Sequence, residues 1–228
     1  MALEALGEFV QVDGVPGGVG PVADGLLACY KHDRGSGTTA ADAASTNDGT
    51  ISGAVYDTPR TGLHSLSFDG TDDYVDISGF GTSSSAVSVS TVFYSNSWST
   101  DPRIVFWGDD PDQFEMTYRD GIQWLYYDGS SYGIRSTSTG PTLSTGAWHH
   151  VVGVYDSNAT DPFEVYVDGT SAATNSDTVS PSITGALNQI GNHGGTSRPF
   201  DGRIDETRFY GRALSASEVS ELATHYGF

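Results

Sequence analysis

Lysine is almost missing from this sequence: Lys31 stands alone among 228 residues, and nine arginines complete the basic set. Against those ten stand 29 acidic residues, 22 of them aspartate, for a formal charge of −19. Such a surface repels phosphate backbones and anionic bilayers, so nucleic acid is not an expected partner. Dense like charge is tolerated where molar salt shortens the screening length to ~3 Å, and a high-salt setting is therefore expected. Cysteine is equally scarce. Cys29 is alone, which excludes an internal disulfide, and its run Leu26-Leu27-Ala28-Cys29-Tyr30 reads as a buried structural thiol. No apolar run approaches the ~18 residues of a membrane span. The start, Met1-Ala2-Leu3-Glu4-Ala5-Leu6-Gly7-Glu8, has neither the basic nor the apolar region of a signal peptide. Long Ala/Leu/Glu/Lys-rich helical stretches are absent as well.

What remains is a chain of short strands and tight turns. Asp-Gly, which suits the positive φ of hairpin turns, occurs eight times, from Asp13-Gly14 to Asp201-Gly202. Apolar and polar residues alternate through Ala86–Phe93, Phe114–Tyr118 and Phe163–Asp168, while Ile122–Tyr127 and Trp148–Tyr155 read as more fully buried strands. Trp148 is expected in the core between two sheets, and His149 and His150 on opposite faces of their strand. One helix is predicted near the C-terminus. Ser215 and Glu218 form a capping box, Leu214, Val219, Leu222 and Tyr226 an apolar stripe, and Gly227 a stop. Residues 1–21, rich in Gly, Val and Pro, read as an extended arm or linker, and residues 22–228 as one domain.

Three segments in order carry a family resemblance. The first runs from Gly35-Ser36-Gly37 through Asn47-Asp48-Gly49 to Leu66-Ser67-Phe68-Asp69-Gly70 and Tyr74-Val75-Asp76-Ile77. The second is Gly146-Ala147-Trp148-His149-His150-Val151-Val152, followed by Glu164-Val165-Tyr166-Val167-Asp168-Gly169. The third is Phe200-Asp201-Gly202-Arg203-Ile204-Asp205-Glu206-Thr207-Arg208-Phe209-Tyr210, leading to Arg212-Ala213-Leu214-Ser215. Together they resemble the laminin G-like domains of the concanavalin A-like lectin and glucanase superfamily. The resemblance implies an all-β, two-sheet antiparallel jelly-roll sandwich with a short C-terminal helix. It departs at Lys31-His32-Asp33-Arg34 and at Phe93-Tyr94, where a tryptophan is usual.

Glycoside hydrolysis needs two carboxylates flanking the bond, ~5–5.5 Å or ~6.5–9.5 Å apart. The Glu-x-Asp-x-(x)-Glu strand of the related glucanases is absent, and adjacent Asp205 and Glu206 would face opposite ways, so no enzyme is expected. The resemblance does imply one structural Ca²⁺. Asp205, a charge inside an apolar strand, is the candidate ligand, with Asn47 and Asp48 completing the set. The competing reading has Arg203 or Arg208 neutralise Asp205. A glycan would need aromatic platforms beside polar groups, for which Trp98, Tyr127, Tyr132, His193 and Arg198 are the candidates.

The expected function is a non-catalytic recognition or structural module. The leading form is a virion or surface-assembly protein of a halophilic archaeon or its virus, displaying a jelly roll that binds a glycan or cell-surface receptor. Its arm would contact other structural proteins or build a homo-oligomer, at the virion or extracellular surface. The alternatives are a carbohydrate-binding adhesion module and an accessory domain of a glycoside hydrolase.

Overall fold

A computed structural model describes residues 18–77, 79–98, 101–109, 112–128, 134–185, 187–194 and 198–228. In chain order the strands are β1 (Leu26–Tyr30), β2 (Thr39–Ala40), β3 (Gly49–Ser52), β4 (Val55–Asp57), β5 (Ser65–Asp69), β6 (Tyr74–Ile77), β7 (Ala86–Ser97) and β8 (Arg103–Asp109). They continue as β9 (Asp112–Tyr118), β10 (Ile122–Asp128), β11 (Ile134–Thr139), β12 (Trp148–Asp156), β13 (Phe163–Val167), β14 (Thr170–Asn175), β15 (Asn188–Ile190) and β16 (Asp201–Tyr210). Among the described residues there is one helix, α1 (Ala216–Tyr226), after the last strand.

The strands form two eight-stranded antiparallel sheets. The first runs β14-β13-β12-β7-β16-β5-β4, with β1 on the far half of β16; the second runs β11-β10-β9-β8-β15-β6-β3-β2. This is the expected jelly-roll sandwich. Period-two alternation assigns its faces. On β10, Ile122, Trp124 and Tyr126 enter the core between the sheets, as Phe114 and Met116 do from β9. From the first sheet come Val87, Val89 and Phe93 of β7, and Val151 and Tyr155 of β12.

Trp124, rather than Trp148, is the tryptophan that fills the inter-sheet space opposite β12. Gly153 makes this possible: a Cβ there would lie 2.3–2.7 Å from the Trp124 ring. Gly153→Ala should therefore destabilise the fold by about 1–3 kcal/mol through overpacking. Its denaturation midpoint should fall at unchanged m-value; a midpoint equal to wild type would contradict this interlocking.

Trp148 corrects an expectation. It lies on the outer face of the first sheet, against Tyr94 at 5.7 Å, with the Arg203 guanidinium 5.2 Å above its ring. That face carries a second apolar cluster because α1 packs on it, burying Val219, Leu222 and Tyr226 against Val92, Val152 and Tyr210. The helix is capped as its sequence predicts. The Ser215 N–H donates to Glu218 at 2.8 Å, Ser215 Oγ accepts from the Glu218 N–H, and Gly227 takes φ 79° at the C-terminal end. His150 sits beneath this helix, beside Tyr226 and Phe228, while His149 faces the other way toward Phe93. Cys29 is buried, and burial pushes its thiol up to about 12, consistent with a structural role.

Residues 1–17 of the expected arm lie outside the described residues. Its end is fixed on the domain: Arg208 donates to the Pro21 carbonyl at 2.8 Å and Tyr210 to the Val22 carbonyl at 3.1 Å. No described helix is long and apolar enough to cross a membrane.

Candidate functional site

The outer face of the second sheet is polar and yet buried in its centre. The alternation that sends Phe114 and Met116 inward turns Gln113, Glu115 and Thr117 outward, and Leu125 and Tyr127 emerge likewise from β10. Register places them side by side. Glu115 lies opposite Leu125 on one flank and Phe106 on the other, and Gln113 lies opposite Tyr127.

The loop after β15 folds over this face. Gly191 turns it at φ 88°, so close to the Phe68 ring that a Cβ would clash at 2.3 Å. Buried Asn192 then organises the loop through its side-chain oxygen, which accepts from the His193 N–H at 2.7 Å and the Arg198 N–H at 3.2 Å. His193 stacks on Phe106, 4.2 Å between ring centres. The Arg103 N–H donates to the Arg198 carbonyl at 3.0 Å, tying the loop to β8.

The result is a pocket of about 330 Å³ lined by Arg103, Gln113, Glu115, Arg119, Leu125, Tyr127, His193 and Arg198. Asp101, beneath it, is the electrostatic anchor. It accepts from Arg103 at 2.7 Å and from Thr117 at 2.9 Å, and it pairs with Arg119 and Arg198. Arg103 also pairs with Glu115 at 2.5 Å, and Gln113 donates to the same carboxylate at 3.0 Å. Burial lowers the Arg103 pKa and raises that of Glu115, each against the attraction of its partner. Gln113 Oε1 is buried without a hydrogen-bond partner among the described residues.

Three residues singled out from sequence, Tyr127, His193 and Arg198, thus line one pocket. Trp98 is elsewhere. Its ring stacks on Tyr118 at 3.8 Å, its N–H donates to the Leu143 carbonyl at 3.0 Å, and its edges meet Phe93 and Phe200. Packing, rather than display, is what that geometry serves. Tyr132 lies outside the described residues. Asp101, Arg103, Gln113, Glu115 and Arg119 were not foreseen. The polar members of the alternating run Phe114–Tyr118 were the available signal, because a polar residue facing outward on a central strand is at the middle of an open face.

The calcium residues serve two different loops. Asp205 Oδ2 accepts the Arg60 and Thr61 backbone N–H groups at 2.8 and 2.7 Å, so neither Arg203 nor Arg208 is its partner. Asp48 accepts from the Asp42 N–H at 2.9 Å, and the Asn47 amide donates to Ser45 at 2.7 Å. Asp205 Oδ1 is buried without a hydrogen-bond partner among the described residues, while the side-chain hydrogen bonds of Asn47 and Asp48 are to their own loop. The expectation that Asp205 and Glu206 face opposite ways also needs correcting. A bulge between Ile204 and Thr207 breaks the alternation. Asp205 reaches the turn whose Arg60 side chain donates to the Gly227 carbonyl, and Glu206 reaches Tyr226 of the helix that Gly227 ends.

A family model described as the concanavalin A-like lectin/glucanases superfamily matches residues 69–220, two thirds of the chain. The chain belongs to that superfamily. Among curated proteins a sequence search finds no significant match. Solved structures share the superfamily's fold at low identity. Domain 4 of AbnA, an extracellular arabinanase of Geobacillus stearothermophilus solved with arabinotriose, is 20% identical with a TM-score of 0.71, over 87% of this chain and 98% of that one. The binding domain of Paraclostridial Mosquitocidal Protein 1 is 15% identical with a TM-score of 0.71, over 90% and 53%. Trypanosoma rangeli sialidase with sialic acid is 18% identical with a TM-score of 0.64, over 89% of this chain but only 33% of its own.

Proposed function

We propose that this chain is a non-catalytic carbohydrate-recognition module whose ligand docks on the outer face of the second sheet, in the pocket over Glu115 and Tyr127. The observation that carries this reading is a concave site where buried Gln113 Oε1 has no hydrogen-bond partner among the described residues, beside an aromatic ring and Leu125. Sugars meet both needs, since their hydroxyls satisfy polar groups and their C–H faces lie on aromatics. A chemical step has no support in the geometry. Glu115 is the one carboxylate among the described lining residues, it is held by Arg103, and Asp101 beneath it is held by three arginines. Two independent carboxylates, as a glycosidase needs, are not found among the described lining residues.

A domain of an arabinanase solved with arabinotriose and the binding domain of a mosquitocidal protein share this fold. They favour glycan recognition, as an accessory or adhesion module, over the virion-assembly role expected from the sequence. Isothermal titration against a panel of oligosaccharides tests the reading. Tyr127→Ala should weaken binding at least tenfold, because the ring contact is lost while its backbone pairing stays. Undiminished affinity in that variant would place the ligand elsewhere.

A further inference from the structure

Three of the chain's nine arginines, Arg103, Arg119 and Arg198, meet at this one pocket, in a protein whose formal charge is −19. Among the described lining residues and the Asp101 that holds them they face two carboxylates, Asp101 and Glu115, three positive charges against two negative. We propose that the pocket takes a sugar residue bearing a single carboxylate, as in a hexuronic or sialic acid; this rests on the glycan-recognition reading and narrows it to an acidic ligand.

The arginines divide the work. Arg103 is nearly buried and is committed to Asp101, Glu115 and Thr117, so it braces the floor. Arg119 and Arg198 are different: their side chains are 49% and 34% exposed, and each reaches Asp101 through one terminal nitrogen. Asp101 thereby ties down one end of each guanidinium and leaves the other nitrogens of two part-exposed side chains for a ligand. A guanidinium so held matches a planar carboxylate in two parallel hydrogen bonds, which a neutral hydroxyl cannot equal. The remaining positive charge corresponds to one anionic group. Gln113 Oε1 then requires a donor, which a hydroxyl on the same ring supplies, and Tyr127 and Leu125 offer an apolar patch for the ring. The volume of about 330 Å³ suits one such residue rather than a long chain. The acidic remainder of the surface repels polyanions at long range. Recognition is therefore confined to this spot.

The test uses trigalacturonate, a hyaluronate tetrasaccharide and sialyllactose, each paired with its carboxyl methyl ester, and calorimetry on the full chain. At least one acid should bind tenfold or more tightly than its ester, with an affinity that falls as NaCl is raised. Arg198→Gln and, separately, the more exposed Arg119→Gln should each remove most of that preference, with melting curves confirming that the variants fold. If acids and esters bind equally, or only esters bind, the acidic specificity is wrong while the glycan site stands. If no acid, no ester and no neutral oligosaccharide binds, both are wrong. If the preference survives in both variants, it does not come from this pocket.

Discussion

Glu206→Ala should destabilise the protein by about 3–5 kcal/mol, the cost of leaving a buried charge without its partner. Arg208 is fully buried and donates to Glu206 from Nε and Nη2 at 3.2 and 2.9 Å. The same carboxylate oxygen accepts from the Tyr226 hydroxyl at 2.8 Å. One group thus joins β16 to α1, and Arg208 extends the join to the Pro21 carbonyl. Removing the carboxylate strands a guanidinium and a phenol together, beneath a helix that the capping box alone cannot hold. The double variant Glu206→Leu with Arg208→Met should recover much of the loss, because the ion pair itself adds little beyond its own desolvation. Guanidinium unfolding reads both effects. A loss below about 1 kcal/mol in the single variant would show that water reaches Arg208.

Two buried histidines should cost this protein stability in acid, despite its acidic surface. His150 and His32 are buried, and burial lowers both to about 3 from an ordinary 6.5. His150 shares a hydrogen bond with Ser90 at 2.9 Å through Nε2, and neither nitrogen of His32 has a partner among the described residues. The unfolded chain binds protons at these rings where the folded one does not. Their contribution is therefore complete above pH 6.5 and declines as pH falls toward 3. At pH 4.5 each costs roughly 2.5–3 kcal/mol. Asp205 acts in the opposite sense. Burial raises it to about 7, so its contribution is present in acid and lost as pH rises through 7. Relief of surface repulsion also favours the fold in acid. A variant pair separates these. His32→Leu and His150→Phe each carry a constant cost, but relative to wild type each should remove a loss of roughly 2–2.5 kcal/mol between pH 6.5 and 4.5, about the whole decline that remains once Asp205 has offset the other ring. An unchanged slope would mean that the rings are protonated in the folded state.

Much of the fold was legible because its signals are local. Ser215 and Glu218 sit one helical turn apart, and the capping box needs nothing beyond them. Asp-Gly pairs mark turns at Asp69-Gly70 and Asp168-Gly169, where the glycines take φ 77° and 80°. Trp148 was misplaced because alternation fixes relative faces, not which face meets the other sheet. A helix covering the outer side of β12 makes both faces apolar. The pocket was half legible. Tyr127, His193 and Arg198 carry the residue types that bind sugars, but their meeting depends on Asp101 and on register between β8, β9 and β10. A lone acid in Asp101-Pro102-Arg103 gives no hint that three arginines converge on it. The bulge that turns Asp205 and Glu206 toward neighbouring elements is likewise a property of pairing with β7, not of the run itself.

A crystal structure with a bound oligosaccharide tests the central claim most directly. The ligand should lie against Tyr127 and Leu125, with an oxygen-bearing group at Arg119 and Arg198 and a hydroxyl donating to Gln113 Oε1. A sugar seated instead at the acidic turn of Asp69, Asp72 and Asp73, or at the corner where Asp205 holds the backbone of Arg60 and Thr61, would contradict it.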